Sequence, residues 1–524
     1  MSTPVDAVRR GERGGKTFRL GIAGVVLATA CSLVAAPHAA AQEQLGWQFV
    51  TEPDLHPPLV DTITPANGTL PGGIFIAPLP QGQPSGQPGP LIVDDQGQPI
   101  WFAPSPAGVA VQDFKAQTYQ GKPVLTWWQG SVVVPPGYGE GEAVIMDQSY
   151  RQIATVRTGN GVRADLHDFV ITPRDTALLL AYRTVPMDLT PVGGPADGSV
   201  YEGVVQEVDI ATGRVLFEWN SLEHVGIDES FVPVSQDPAV PWDYFHINSV
   251  AEDGDGSLLI SARNTHAVYQ LNRDTGAVNW RLGGKRSDFR MGPGTGFEWQ
   301  HDARRRPDGT ITLFDNGAGG AKDRSRAITL WLDETARTAQ LARDLPRADP
   351  VLSPNMGNHQ VMPGGHAFVG WGGGPGYTEY AADGSVALHA EIADGMRSYR
   401  AYRKTWVGQP ADDPEVAGVT DTDGGTDVYA SWNGATEVAT WRVLAGNGPI
   451  ALEPVADAAR VGFETEVDLP PRPGMSLSRP STARATSSAA RPPRPSPAEP
   501  RRNFTLVTCV FPSYCNHSGV GGDI

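Results

Sequence analysis

The chain has 524 residues, 61 of them glycine and 46 proline, with 40% hydrophobic residues and a formal net charge of −17. That turn-rich composition suits an all-β protein better than a helical one, and the acidic balance argues against a nucleic-acid partner. Cysteine occurs only at Cys31, Cys509 and Cys515, so residues 42–508 hold no disulfide framework, thiolate metal site or cysteine nucleophile.

Residues 1–41 read as a signal peptide. Arg9, Arg10, Arg13, Lys16 and Arg19 form a basic region, Leu20 to Ala36 is apolar but short for a membrane span, and Ala39 to Ala41 offer a small-residue cleavage site. A secreted or cell-envelope protein is expected, with no membrane span.

Residues 42–410 carry internal repeats. One pattern, a strand, an Asp or Asn turn and a second strand, recurs at 90–102, 143–156, 204–219, 267–282, 327–341 and 376–392. Turn residues between alternating apolar positions are hairpin signals. A second hairpin pattern precedes most copies, at 111–128, 166–184, 245–264, 300–317 and 358–373. Two hairpins per repeat make about four strands, the blade of a propeller. A six-bladed β-propeller is therefore expected. Its first blade is completed by residues 72–79 together with a returning strand near Ser398.

After Pro410 an Asp/Gly/Thr-rich linker leads into alternating Val, Tyr and Trp residues with an Asn433-Gly434 turn. Residues 411–470 read as a small immunoglobulin-like β-sandwich that lacks its last strands. Residues 471–524 are rich in Pro, Arg, Ser and Ala and read as a disordered low-complexity tail. The abrupt change near residue 470 points to a reading-frame shift.

The repeat alignment places Gln112, His167, His246, His301 and His359 at one position in five successive copies. Rotation about a propeller axis would bring such residues to a shared channel. A single histidine at a blade turn is ordinarily structural; four of the chain's 11 histidines in one register are less easily explained that way. Asp168 and Asp302, each following one of these histidines, are candidates to orient an imidazole. Arg263, ending the strand that starts near Ser257, is a candidate anion clamp. Trp127, Trp128, Trp299 and Trp371 are candidates to stack on an aromatic ligand, although tryptophans in such strands are more often core.

These residues carry a resemblance. His246 in FHINSV, Arg263 in ISARNTHAVYQL and His301 in WQHDARR are similar to the active-site motifs of bacterial arylsulfotransferases. The segments PDLHPPLV, WDYFHINSV, WRLGGKRSDF, FEWQHDARRRPDGT, GNHQVMPGG and SWNGATEVATWRV resemble a diverged, secreted branch of that family, over roughly residues 45–468. The resemblance implies sulfuryl transfer from a phenolic sulfate ester to a phenolic acceptor, with no nucleotide donor, cofactor or metal. It casts His301 as the nucleophile that becomes a transient sulfohistidine in a ping-pong cycle. Arg263, His246 and His167 would hold the sulfuryl oxygens, and His246 or His167 would also carry the proton. His359, which gains no role from the resemblance, is placed on the acceptor side as a substrate-binding residue. Two other functions fit the same residues: a histidine-ligated metalloenzyme, and a non-catalytic secreted propeller that binds a ligand or partner.

Overall fold

The computed structural model of the protein describes residues 46–471, except 83–84, 319–321, 348, 394, 421, 423–424 and 447–451. It also describes the backbone of 504–510 and, for residue 255, the backbone alone. The described part lies in one compact unit, Gln44–Ile524. The expected signal peptide and most of the expected tail lie outside the described residues. Regular structure among the described residues is β-strand, interrupted only by single-turn 3-10 helices. No helix among them is long and apolar enough to cross a membrane.

Five sheets take up residues 60–404. An eight-stranded sheet runs from Ala110–Tyr119 to Val215–Asn220, and its two halves meet at one residue pair, Gly141 opposite Ala164. A four-stranded sheet starts at Ile247–Glu252, a five-stranded sheet has His301–Arg305 at one edge, and another has Asn358–Val361 at one edge. The fifth sheet, four-stranded, joins the two ends of this region: Met396–Lys404 pairs with Gly73–Pro80, which pairs with Leu91–Val93. A second closure lies nearby, where Val60–Thr64 adds to the edge of Val386–Ile392.

The strands Ala110–Tyr119, Ala164–Ile171, Ile247–Glu252, His301–Arg305, Asn358–Val361 and Met396–Lys404 touch one another in that order, and the last touches the first. They form a ring of side-by-side strands, each leading one hairpin set.

Local chemistry explains the repeated hairpins. In all six, an Asp or Asn at the start of the turn accepts hydrogen bonds from backbone N–H groups two to four residues on: Asp94, Asp147, Asp209, Asn272, Asp333 and Asp383. This is the Asx-turn preference of short polar side chains. Beside each turn the register slips by a residue, a β-bulge that adds twist. Between neighbouring sheets the inward faces interlock; Trp219, Tyr244, Phe245 and Tyr269 fill one such layer. Each side chain of that size contributes about 1.5–3 kcal/mol by leaving water.

The segment after Pro410 forms two three-stranded sheets. One holds Glu415–Thr420, Thr426–Ser431 and Glu464–Leu469. The other holds Leu452–Ala459, Thr440–Gly446 and Phe504–Val510. Val428, Trp441, Val443, Val467 and Leu469 pack around a shared core. Phe504–Val510 is a strand within the 471–524 stretch expected to be a disordered tail. Its run of Phe, Thr, Leu and Val favours a strand, and its backbone pairs with Thr440–Gly446. Asn433 fastens the segment to the edge strand Pro99–Phe102 by bonding both the N–H and the C=O of Phe102, at 3.0 and 2.8 Å.

Candidate active site

Three of the four in-register histidines meet. His167 lies within Ala164–Ile171, His246 precedes Ile247–Glu252, and His301 opens His301–Arg305; all three are buried. The His167 ring centroid is 5.0 Å from that of His246 and 6.5 Å from that of His301. Tyr399 closes the group at 5.7 Å from His167 and 6.4 Å from His301. Distorted backbone aims these side chains: φ is +54° at His246, +57° at Trp299 and +58° at Asp302. Left-handed non-glycine residues carry strain and collect at functional sites.

Each imidazole has a distinct Nδ1 partner. His167 Nδ1 lies 2.6 Å from Asp165 Oδ2, and that carboxylate also accepts the His167 N–H at 2.9 Å and the Gly139 N–H at 2.6 Å. His246 Nδ1 meets Asp243 Oδ2 at 2.5 Å. His301 Nδ1 instead meets an amide oxygen, Asn316 Oδ1, at 2.7 Å, with the Trp299 carbonyl at 3.1 Å. The Asn316 amide is oriented by its own donors, since Nδ2 bonds the Ser353 and Met356 carbonyls, each at 2.9 Å. His301 Nδ1 thus faces two acceptors and must carry the proton, leaving a lone pair on Nε2. The Met356 N–H points at that lone pair from 3.3 Å. Burial pushes the His301 ring well below the ordinary imidazole range, and Arg263 adds to the push. Burial also lowers His246, against the upward pull of Asp243.

Arg263 lies over the Trp299 ring, 4.4 Å from its centroid, and bonds Asn264 Oδ1 and the Pro354 carbonyl. Among the described residues its guanidinium closes no ion pair, and its buried Nε has no partner. A largely buried cation that closes no ion pair attracts an anion.

These groups form the floor of a cavity of about 840 Å³. His167, His246, Arg263, His301 and Gln112 all line it, and the walls are largely apolar, with Leu79, Val109, Val132, Pro136 and Met356 among them. Gln112 brings a buried, unpartnered Oε1. His359, expected on the acceptor side, is absent from the lining. Its N–H bonds Asp302, its Nδ1 faces the Ile328 carbonyl at 3.1 Å, and burial pushes its ring down to about 4. Asn355 and Met356, in the loop ahead of its strand, line the cavity instead. Trp128 and Trp371 are fully buried core and Trp127 is nearly so, whereas Trp299 supports Arg263.

Asp168 and Asp302, expected to orient imidazoles, face a different environment. With Asp113 they bind Lys115, Arg304 and Arg400, the last fully buried, with Arg400 Nη1 at 3.0 Å from Asp113 and 2.9 Å from Asp168. Alternation along a strand explains the correction: residues i and i+1 point to opposite faces, and residues i and i−2 to the same face. Asp165 therefore reaches the His167 ring and Asp168 does not. Burial alone would raise the Asp168 carboxyl, but Arg304, Arg400 and Lys115 hold it well below the usual range. Three carboxylates and three cations balance in this knot. Among the described residues no three His, Cys, Asp or Glu side chains are grouped so as to hold a metal ion.

Residues 115–393 match the family model described as Arylsulfotransferase (ASST). No curated protein matches the chain significantly. Among solved structures, a catalytically inactive virginiamycin B lyase from Staphylococcus aureus is similar at TM-score 0.28 and 9% identity, over 62% of this chain and 85% of that one. The GH43 protein BlXynB from Bacillus licheniformis aligns at TM-score 0.30 and 10% identity, over 64% and 72%. Sqt1 from Saccharomyces cerevisiae aligns at TM-score 0.30 and 10% identity, over 69% and 79%.

Proposed function

Because the chain belongs to the arylsulfotransferase family, we propose that the imidazole cluster transfers a sulfuryl group between phenols through a covalent intermediate on His301. The supporting observation is the Nε2 lone pair of a neutral His301 set in a cavity beside Arg263, a cation that closes no ion pair among the described residues. A neutral imidazole is a competent nucleophile. Its Nε2 attacks the sulfur of an aryl sulfate; the N–S bond forms, the S–O bond to the aryl group breaks, and the departing phenolate takes a proton from an imidazolium. In the second half the acceptor phenol returns a proton to that ring, its oxygen attacks sulfur, and the N–S bond breaks to restore His301. Arg263 would hold sulfuryl oxygens, an effect of about 3–4 kcal/mol for a well-aimed donor. Gln112 Oε1 is available to accept a phenol hydroxyl.

The fold fits this role as a six-bladed propeller: the eight-stranded sheet is read as two blades bridged by Gly141 and Ala164, and the ring of inner strands surrounds the axis. The segment after residue 410 is read as an immunoglobulin-like appendage, and residues 1–41 as an export signal that sends the protein to the envelope or beyond.

The test is incubation of the protein with a chromogenic aryl sulfate, with and without a phenol acceptor. Phenol release and a sulfuryl mass increment on the His301 peptide are expected, and His301→Asn should lose both, with a rate drop of at least about a thousandfold. Equal turnover by His301→Asn overturns the proposal.

A further inference from the structure

Three imidazoles share one floor, yet only one can be the nucleophile. We infer that the group on each Nδ1 divides the labour: Asn316 fixes His301 as the neutral nucleophile, while Asp165 and Asp243 make His167 and His246 the proton-carrying pair. This rests on the transfer chemistry proposed above and assigns three positioning residues that touch no substrate.

The geometry is selective. A carboxylate accepting an Nδ1–H stabilises the ring when a second proton arrives at Nε2. An amide oxygen at the same place fixes the tautomer without adding charge. Asn316 cannot present its NH2 instead, because both of its donors are committed to the Ser353 and Met356 carbonyls. Asp165 is equally constrained, held by the Gly139 N–H and the His167 N–H as well as the ring. The His167 and His246 rings stand edge to face with their centroids 5.0 Å apart. Around His301 the charged and titratable groups are Arg263, His167, His246 and Tyr399. Around the pair they are Asp165, Asp243, Arg263, Tyr182, Tyr399 and His301.

In the first half-reaction the His301 Nε2 lone pair makes the N–S bond and the aryl oxygen leaves with the S–O pair. That oxygen takes the Nε2 proton of the His167–His246 pair, whose positive charge was held by a carboxylate. In the second half the acceptor hydroxyl gives its proton to the same Nε2, so the pair ends the cycle as it began.

The experiment is ¹⁵N-histidine NMR titration of the full chain alongside the pH profile of kcat/KM. In wild type the His301 ring should hold its proton on Nδ1, with Nε2 bare throughout the active pH range. Asn316→Asp should move His301 protonation, and with it the acidic limb of kcat/KM, up by at least one pH unit, whereas Asn316→Ala should not. Asp165→Asn and Asp243→Asn, nearly isosteric, should move the basic limb down and cut kcat at least tenfold, with KM changed less than about twofold. The inference is overturned by an Nε2–H tautomer of His301 in wild type, which needs no variant to fold. It is overturned equally by unmoved limbs in the Asp variants of an active enzyme. Expected tautomers and titrations in a protein that transfers nothing would overturn the transferase proposal and leave the Nδ1 arrangement standing.

Discussion

Arg263 is the residue at which charge and shape act together. Its guanidinium lies over the Trp299 ring, 4.4 Å from the centroid, so the ring supports the fork that lines the cavity. Lysine would keep the charge and lose both the stacking and the paired donors. Arg263→Lys is expected to lower kcat/KM by about a hundred- to a thousandfold, equivalent to about 3–4 kcal/mol of transition-state stabilisation. Steady-state kinetics on a variant with unchanged circular dichroism checks it; a loss under tenfold would show that the point charge suffices. His167, His246 and His301 are legible because the repeat register aligns them, and Arg263 because it ends the strand that starts near Ser257. Their supporting partners give a weaker signal, although two lie within three residues in sequence. Asp165 and Asp243 precede their histidines, and the carboxylates that follow, Asp168 and Asp302, drew attention because they recur in register. Asn316 carried no local signal, since it reaches His301 across a hairpin. His359 kept the register and lost the position, because a left-handed Met356 ahead of its strand turns the chain so that the loop faces the cavity.

At the scale of elements, the hairpin of Lys122–Val133 and Tyr138–Met146 links core packing to the site. Trp128 lies across Gly130, Gly139 and Gly141, and its Nε1–H bonds the Ala164 carbonyl at 2.8 Å. A Cβ on residue 139 would sit 2.5 Å from the Trp128 ring and 2.7 Å from Leu166 N. Gly139→Ala should therefore cost about 1–3 kcal/mol through overpacking, and it should disturb Asp165, whose carboxylate the Gly139 N–H holds. A lowered Tm accompanied by altered Trp fluorescence and reduced kcat is the expected result; a variant with wild-type Tm would show that the hairpin yields without strain. The six Asx turns were readable from sequence, since their Asp and Asn residues act on their own neighbours. The strand Phe504–Val510 was not, because the composition of its surroundings outweighed seven residues of β-forming sequence.

Across the whole molecule, acid should be the weak point. His359 is fully enclosed with its ring held near 4, against an ordinary value near 6.5. Between those pH values the unfolded chain binds a proton that the native ring refuses, so stability declines as pH falls through the window and is complete only above about 6.5. This one group would cost about 3 kcal/mol by pH 4, and His301 acts in the same direction. Urea midpoints measured from pH 7 to pH 4 should fall, and His359→Gln should flatten the slope; parallel slopes in the two proteins would remove His359 as a cause. The ionic knot beneath the histidines offers a second test at this scale. Removing Arg400 leaves Asp113 and Asp168 short of a buried counter-charge, so Arg400→Leu should destabilise the protein by about 3–5 kcal/mol in chemical denaturation. A loss below 1 kcal/mol would mean that Lys115 and Arg304 neutralise the carboxylates unaided.

The pairing of Gly73–Pro80 with Met396–Lys404 sets a deadline for the ribosome. Until residue 404 has emerged, an early strand waits with one edge bare, and the inner ring lacks its sixth member. More than three hundred residues must be made between the two halves of that sheet, a loop whose closure favours late completion. A nascent chain stopped short of this point should be open, protease-sensitive and easily threaded; one carried past it latches shut by joining the first and last strands of residues 73–404.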